Sequence, residues 1–312
     1  MRGPRCVLLL AVLAWRLAWA YPASAARPED VRAIAPGVWF LLGDSQKGYS
    51  NTVVIEMNSY LIVVDANYPG RARELLEEIP KLSPKPVRFV FDTHAHGDHS
   101  YGNSVWTAHG ATTVAYAAIK GEMDRYEPER WNAAMARRED VRELHEPDVQ
   151  RPRKTFRKRA LVLKDRTRTV KFLFLGWGHT PADGYVWLPE ERLLCTGDAA
   201  VNGPRNKLWD ANVAEWPRVL DRALRLRPEF VLPGHGPAGG RDILTGQKSF
   251  LVDLRSAVER EAKAGKQPAE MTVLLPQRDA NWVPADLTQD VEITYSEIAH
   301  HQPAGALPHT WR

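Results

Sequence analysis

Residues 91–99 read Phe91-Asp92-Thr93-His94-Ala95-His96-Gly97-Asp98-His99 and decide the fold. Three histidines and an aspartate fall within six residues, directly after Val87–Phe91, an apolar run of the length of a buried strand. On an extended chain the first two histidines and the aspartate share one side, and a helix beginning at Ser100 to Asn103 would swing the third histidine round. Imidazole and carboxylate ligands suit Zn²⁺, with Fe²⁺ and Mn²⁺ as competitors. The stretch therefore predicts a metal site at the end of a strand.

Three further candidate ligands lie downstream, each after a predicted strand and each beside glycine. They are His179, Asp198 and His235. Glycine permits tight turns and close approach of the backbone, and loops held by a rigid sheet are where binding groups are usually built. The other histidines lack this setting, and we interpret them as non-ligands.

The remaining pattern alternates strands with helices and predicts an α/β protein made of two similar halves. Two β-branched runs around Asn58-Ser59 predict a hairpin. A helix is expected over 71–79, ended by Pro80, and one strand over 164–175. No element is evident after Pro268. We expect residues 26–312 to form a single domain, since no linker interrupts them.

Four short motifs carry a resemblance to a known family. They are HAHGDH at 94–99, GHT at 178–180, TGD at 196–198 and GHG at 234–236. In order and approximate spacing this set resembles the metallo-β-lactamase superfamily (MBL-fold metallo-hydrolases), over roughly residues 34–254. The resemblance implies an α/β fold of four layers, the αββα metallo-β-lactamase sandwich, with a dinuclear metal site at one edge of the sheets.

The resemblance also implies roles for single residues in that site. One metal ion is expected to bind His94, His96 and His179, and the other Asp98, His99 and His235, with Asp198 bridging the two. Asp65 resembles the family's buried aspartate beneath the site, where it would orient a ligand. The expected cofactors are two Zn²⁺ ions, with Fe or Mn as alternatives. Asp98 is also expected to be catalytic.

The function implied is hydrolysis of an ester, lactone, thioester or amide bond, β-lactams included, by a hydroxide that bridges the metals. Zinc β-lactamases carry Cys or Ser where Asp198 stands, so the chain resembles the broader hydrolases of the family more closely. Two alternatives stay open: a phosphodiesterase on the same dizinc site, and a non-hydrolytic metal-binding or redox partner of a periplasmic system. The sequence contains no G-x-S-x-G, P-loop or C-x-x-C motif, so serine hydrolase, nucleotidase and thiol redox functions lack support.

The partner expected is a small-molecule substrate. Trp177, Asn206, Lys207 and Trp209 lie near or between the ligand motifs, and we regard them as candidate substrate-binding residues. Nothing in the sequence sets an oligomeric state.

The N-terminus predicts a secretory signal peptide over residues 1–25. A basic start precedes the ten apolar residues of Cys6–Trp15, and small-residue cleavage sites end near Ala20 or Ala25. A secreted or periplasmic location follows, with no transmembrane domain after cleavage. Cleavage after Ala25 removes three Arg and lowers the net charge from +4 to +1.

That nearly neutral balance gives no general argument for nucleic-acid binding, so no nucleic acid is expected as a partner. One basic segment departs from it: residues 151–171 hold ten Lys and Arg with Asp165 the only acid. Two interpretations explain this excess of basic residues: a solvated face of a hairpin, or a rim that attracts anions.

Overall fold

The computed structural model describes residues 31–204 and 207–307, so the predicted leader (1–25) and Asn206 lie outside the described residues. The strands within these ranges are β1 (Val31–Ala35), β2 (Val38–Leu41), β3 (Thr52–Glu56), β4 (Leu61–Val64), β5 (Val87–Asp92), β6 (Thr112–Tyr116), β7 (Lys154–Phe156), β8 (Ala160–Lys164), β9 (Thr169–Phe174), β10 (Gly184–Leu188), β11 (Leu193–Gly197) and β12 (Phe230–Pro233). The α-helices there are α1 (Pro69–Leu82), α2 (Gly97–Ser100), α3 (Asn103–Ala108), α4 (Ile119–Arg137), α5 (Glu139–Arg142), α6 (Trp216–Leu224), α7 (Asp242–Lys263) and α8 (Thr288–His300). None of the described helices combines the length and apolar character that crossing a bilayer requires.

The first sheet has the strand order β1-β2-β3-β4-β5-β6-β7. The predicted hairpin is confirmed, because β3 and β4 pair antiparallel across Asn58-Ser59 with Val54 opposite Val63. From β4 onward the strands run parallel. The carboxyl ends of β4 and β5 therefore meet at one edge, where the Asp65 amide donates to the Phe91 carbonyl at 2.8 Å.

The second sheet has the order β12-β11-β10-β9-β8 and brings two more strand ends together. Strands β11 and β12 are parallel, and the Gly234 amide donates to the Gly197 carbonyl at 2.8 Å. The single strand expected over 164–175 is wrong, since the chain forms β8 and β9 instead. Asp165 makes the turn between them by accepting the Thr167 amide at 2.8 Å.

Side chains that alternate along the strands bury both faces of the sheets. Val53 and Ile55 of β3 point into a core between the sheets, whereas Val54 points into a second core on the outer face. Between the sheets Phe91 stacks on Phe172, with 4.3 Å between ring centroids. This packing explains why these strands read as apolar runs rather than as alternating ones.

Helices cover the outer face of each sheet. Leu75 of α1 and Trp106 of α3 pack on the first sheet, and Val219 of α6 and Leu251 of α7 pack on the second. The order helix, sheet, sheet, helix confirms the α/β class and the four-layer αββα sandwich.

Two helices differ from the sequence expectation. Helix α1 does not end at Pro80 but continues to Leu82, and the Ser83 amide still donates to the Ile79 carbonyl. A proline this close to a helix end removes only one hydrogen bond, which the packed turn tolerates.

Helix α8 was missed because its buried face is largely polar. Asp290, Thr294 and Glu297 are buried beside Val291. Both oxygens of Glu297 accept backbone amides, those of Val213 and Ala214 at 2.8 Å. Apolar periodicity, the signal for a helix, is therefore weak in this segment.

Candidate metal centre

Four loops carry the predicted ligands, and each loop follows a strand. The segment His94–His99 follows β5, His179 follows β9, Asp198 follows β11 and His235 follows β12. The parallel pairs β4–β5 and β11–β12, together with the face-to-face packing of the sheets, bring all four loops to one edge of the sandwich.

His99 reaches the other ligands through a helix that begins earlier than expected. Helix α2 starts at Gly97, not at Ser100, and the His99 amide donates to the His96 carbonyl at 2.9 Å. This first turn reverses the side on which residue 99 would fall in a strand. Its ring centroid lies 4.2 Å from that of His94.

The ligand atoms of the predicted residues form two clusters. Within each cluster, all ligand atoms lie within 4.8 Å of one another. The first cluster comprises His94, His96, His179 and Asp198, and the second Asp98, His99 and His235. Asp198 also touches the second cluster, because its carboxylate oxygens lie 3.3 Å from His99 Nε2 and 3.5 Å from His235 Nε2. All seven predicted ligands are therefore together, with one carboxylate between the two groups.

Hydrogen bonds at Nδ1 orient three of the rings. His99 Nδ1 contacts Asp65 Oδ2 at 2.8 Å, His179 Nδ1 contacts the Lys207 carbonyl at 2.9 Å, and His94 Nδ1 contacts Thr93 Oγ1 at 3.1 Å. A carboxylate or carbonyl only accepts, so it places the proton on Nδ1 and leaves the Nε2 lone pair free. Asp65 thus lies where the sequence analysis expected it, beneath the ligands.

His96 is oriented the opposite way. Its Nε2 contacts Asp210 Oδ2 at 2.8 Å, and its Nδ1 lies 3.2 Å from His179 Nε2. Two nitrogens bound to one tetrahedral Zn²⁺ at the usual bond length lie about 3.3 Å apart. The separation of these two nitrogens fits a shared metal ion.

Buried atoms without a hydrogen-bond partner give a second test of the fit. His94 Nε2, His99 Nε2 and Asp198 Oδ1 are buried and have none among the described residues. Leaving such groups unpaired costs free energy, and a cation supplies the missing interaction. The donor set of imidazoles and carboxylates is one that binds zinc.

The protonation states of His94, His179 and Asp98 suit a cation as well. Burial, with the imidazoles of His99 and His96, holds the pKa of His94 well below its usual range, and burial lowers the pKa of His179 to about 3. Burial opposes ionisation of Asp98, but the His99 and His235 rings lower its pKa to about 2. Neutral imidazoles and ionised carboxylates are the forms that bind metals. His99 differs: burial lowers its pKa, but the Asp65, Asp198 and Asp98 carboxylates raise it well above its usual range, so a bound cation would displace its proton.

Glycine allows the Asp198 and His235 loops to approach each other. A Cβ on Gly234 would lie 2.2 Å from Asp198 Oδ1, and one on Gly197 would lie 2.3 Å from Thr93 Oγ1. The glycines that flank the ligands in the sequence therefore serve close approach at these two positions.

Sequence reasoning missed a group of charges behind His96. Asp210, whose side chain is fully buried, accepts Arg130 Nη2 at 2.6 Å as well as His96. Glu122 lies 3.9 Å from Arg130 Nη1. Because Arg130 contacts both acids, we interpret the group of His96, Glu122 and Asp210 as part of an ion-pair network and not as a third metal site. Asp210 is 114 residues from His96, so no local motif could have revealed it.

A pocket of about 540 Å³ opens onto both clusters. Its lining comprises Gly48, Tyr68, His96, Gly97, Asp98, Tyr101, Glu129, Arg130, Ala133, Ala134, Arg137, Arg138, Asp198, Pro204, Lys207, Trp209 and His235. Lys207 and Trp209 thus line this pocket, and their role in substrate binding stays a prediction. The wall that α4 contributes had no sequence signal.

Trp177 does not line this pocket, contrary to the expectation. Its indole N–H donates to the Asp210 carbonyl at 2.7 Å, which fixes the loop that carries the His96 partner. We therefore assign it to loop structure rather than to substrate contact.

The basic segment 151–171 forms the outer edges of both sheets, because β7 and β8 are edge strands. Buried Arg168 pairs with Glu191 at 3.0 Å, and Arg151 pairs with Asp124 at 2.9 Å. Basic side chains on edge strands discourage pairing with other chains. This role explains the basic composition of the segment, so no anionic ligand is needed to explain it.

Comparison with known proteins identifies relatives of this fold and site. A family model described as the metallo-beta-lactamase superfamily matches residues 46–235, which include all seven candidate ligands. The chain is 28% identical over 203 residues to the metallo-beta-lactamase type 2 of Bacillus cereus, covering 62% of this chain and 70% of that protein. It is 27% identical over 205 residues to the protein of the same name from Bacillus sp. (strain 170), with the same coverages.

Solved structures share the fold at lower identity. The DIM-1 metallo-beta-lactamase matches with a TM-score of 0.57 and 20% identity, covering 71% of this chain and 96% of that one. The inverting sec-alkylsulfatase Pisa1 from Pseudomonas sp. matches with a TM-score of 0.69 and 19% identity, covering 90% of this chain and 52% of that one. At these identities the likeness shows the fold alone.

Proposed function

The chain belongs to the metallo-beta-lactamase superfamily, a family of metal-dependent hydrolases, and from this premise we propose that it is a secreted dinuclear-zinc hydrolase. Its substrates are small molecules with an ester, lactone, thioester or amide bond, β-lactams included. We also propose that the residues of the two clusters are metal ligands and that one of them is catalytic.

One observation carries the dinuclear assignment. Asp198 belongs to the first cluster, yet its two oxygens also lie 3.3 and 3.5 Å from the imidazole nitrogens of His99 and His235. A carboxylate placed between two sets of ligands serves to bridge two cations. A single ion in the first cluster would leave Asp98, His99 and His235 without a cation, although their ligand atoms also lie within 4.8 Å of one another.

The ligands fall into two sets on this proposal. His94, His96 and His179 would hold one ion, Asp98, His99 and His235 the other, with Asp198 shared. Two zinc ions held in this way would polarise the scissile carbonyl and would lower the pKa of the attacking water towards about 7.

The protein's own residues would then position the reactants. Asp98 and His235 line the pocket and contact each other, with His235 Nε2 3.0 Å from Asp98 Oδ2. The Asp98 side chain keeps 21% of its surface exposed, unlike fully buried His99. Asp98 is therefore the carboxylate of the second cluster that a bound substrate would meet, and we propose that it is catalytic.

Two observations support the proposed range of amide, ester, lactone and thioester substrates. The Bacillus relatives are named metallo-beta-lactamases, which supports amide hydrolysis. Asp198, where zinc β-lactamases carry Cys or Ser, supports the broader ester, lactone and thioester hydrolases.

A substrate panel on the zinc-loaded protein tests the proposal. The panel comprises nitrophenyl esters, lactones, thioesters, a chromogenic cephalosporin and bis-nitrophenyl phosphate, with zinc per chain measured in parallel. We expect two zinc ions per chain and turnover of an acyl substrate. His96→Ala should lower kcat/KM at least about a hundredfold, because ligand loss removes metal or its geometry. His109→Ala, which removes a histidine outside the clusters, should leave it unchanged.

Other outcomes separate the alternatives. Turnover of the phosphodiester alone would indicate the phosphodiesterase, and full zinc occupancy with no turnover would indicate a binding or redox partner. Equal rates after removal of the metal would refute metal-dependent catalysis.

The location is proposed from the sequence of residues 1–25 alone. Cell fractionation with N-terminal sequencing of the exported protein tests it. The expected first residue follows Ala20 or Ala25, whereas an uncleaved protein retained in the cytoplasm would contradict it.

A further inference from the structure

One wall of the pocket is a face of α4 that the ligand motifs do not explain. Arg130, Ala133, Ala134 and Arg137 recur at helical spacing and all line the pocket. The two alanines leave room between the arginines, so this face presents a short apolar floor bounded by positive charge.

The cations of the pocket differ in how they are paired. Arg130 is bound to buried Asp210. Arg138 donates two hydrogen bonds to Asp140, each 3.0 Å long, and lies over the Tyr68 ring. These two guanidinium groups are held by the protein itself.

Arg137 and Lys207 are not held in this way. Both are exposed, and neither has an ion pair with any carboxylate in 31–204 or 207–307. Lys207 lies over the Trp209 ring, with Nζ 5.0 Å from its centroid. Three acids line the pocket: Asp98 and Asp198 belong to the two clusters, and Glu129 lies on α4. Away from the clusters, the lining therefore has more cations than acids.

Apolar surface lies beside this charge. Tyr68, Tyr101 and Trp209 line the same pocket as the two alanines of α4. A molecule bound there meets aromatic and methyl groups along its body and a cation at its end.

We propose that the pocket selects substrates that carry an anionic oxygen group, such as a carboxylate or sulfonate, on an apolar body. Arg137 and Lys207 bind this group at a distance from the bond that is cleaved. Arg137 is thereby a specificity-determining residue. The inference rests on the proposed hydrolase for its kinetic test but not for its binding test.

Binding is tested with a probe that cannot be cleaved and is a poor metal ligand. Phenylbutanesulfonate and the neutral phenylbutanol are titrated calorimetrically into the zinc-loaded protein and into Arg137→Ala, Arg137→Lys and Lys207→Ala. Lys120→Ala is the matched control, since Lys120 lies exposed on the same helix outside the pocket.

We expect the sulfonate to bind about tenfold more tightly than the alcohol, as one charge-assisted contact provides. Arg137→Ala and Lys207→Ala should each remove most of this difference, and Arg137→Lys should retain part of it. Lys120→Ala should retain all of it, which excludes a general effect of net charge. Equal binding of both probes to the unmodified protein would overturn the proposal.

Kinetics provide the second test, with the nitrophenyl esters of octanoate and of suberate, which differ by a terminal carboxylate. The suberate ester should have a higher kcat/KM. Arg137→Ala should remove this advantage through KM, whereas Lys120→Ala should keep it. Turnover of both esters without preference overturns the anion site but not the hydrolase. Sulfonate binding that depends on Arg137, without ester turnover, supports the anion site and contradicts only the esterase activity.

Discussion

At the scale of single residues, His96 differs from the other ligand histidines in the nitrogen that faces the cluster. His94, His99 and His179 are fixed through Nδ1, whereas His96 is fixed through Nε2 by Asp210. The orientation of one ligand therefore depends on a buried carboxylate that Arg130 neutralises. The spacing of the candidate ligands along the chain does not by itself fix the His96 ring, because a ring without a hydrogen-bond partner adopts other orientations.

Asp210→Ala should lower both zinc content and stability. Removing the carboxylate frees the His96 ring and takes from Arg130 its closest acid, although Glu122 and Glu127 remain 3.9 and 3.7 Å away. Loss of one partner of a buried ion pair costs up to about 3–5 kcal/mol in the free energy of unfolding. Asp210→Asn keeps an acceptor for His96 and should hold more zinc than the alanine variant. Zinc per chain and urea unfolding measure both effects.

Asp221→Asn provides the control, because Asp221 pairs with Lys248 on the surface and contacts no ligand. It should change neither quantity. An Asp210→Ala protein with unchanged zinc content would show that Asp210 does not position His96.

At the scale of elements, α8 shows how a helix packs without an apolar face. Its buried residues include Asp290. Burial raises the pKa of the Asp290 carboxyl to about 7, although the positive charge of Lys207 opposes the shift. Asp290 Oδ2 has no hydrogen-bond partner among the described residues. Helix α8 therefore buries a carboxyl group that is more stable protonated than ionised in the folded chain.

Asp290→Asn should become relatively more stabilising as the pH rises from about 4 to about 7. In this range the unfolded chain has released the Asp290 proton while the folded chain keeps it, so the wild type loses stability with rising pH. Asparagine does not titrate, and the difference in unfolding free energy should grow by up to about 4 kcal/mol. Urea unfolding at a series of pH values measures it.

Asp286→Asn is the matched control, since Asp286 lies just before the same helix and its pKa is lowered by the Thr288 hydroxyl and amide. It should show no such growth. A pH-independent difference for Asp290→Asn would mean that this carboxyl is ionised in the folded protein.

At the scale of the whole molecule, the two sheets are joined at one edge by groups that would repel or lie unpaired without a cation. Asp98 and Asp198 both lie against His235 Nε2, at 3.0 and 3.5 Å, and His94 Nε2 is buried without a hydrogen-bond partner among the described residues. A zinc ion that binds the folded chain and not the unfolded chain would stabilise the fold. That residues 26–312 form one domain stays a prediction, which limited proteolysis of the zinc-loaded protein tests.

Zinc should raise the melting temperature, and chelation should lower it. At a free zinc concentration a thousandfold above Kd each site contributes about 4 kcal/mol to the stability of the fold. The melting temperature should therefore increase with the logarithm of free zinc, as followed by calorimetry.

The double variant His94→Ala, His99→Ala removes one ligand from each cluster and should lose this dependence. His109→Ala should keep it. A melting temperature that is the same with zinc and with chelator would contradict a site built into the folded core.

The amino-acid sequence by itself determined the sandwich, the loops that carry the ligands and the identity of the seven clustered groups. Each loop with candidate ligands follows an apolar strand and contains glycine, which is a local pattern legible along the chain, and the resemblance of the four motifs to a known family implied the sandwich. Only the tertiary structure decided that Asp210 orients His96, that Trp177 turns away from the pocket and that α4 supplies the pocket wall with Arg137. Those contacts join segments as far as 114 residues apart, and they depend on how helices pack over the sheet edge, which no local pattern encodes. Helix α8 belongs with them, because its buried face is polar and is satisfied by distant backbone amides rather than by an apolar stripe.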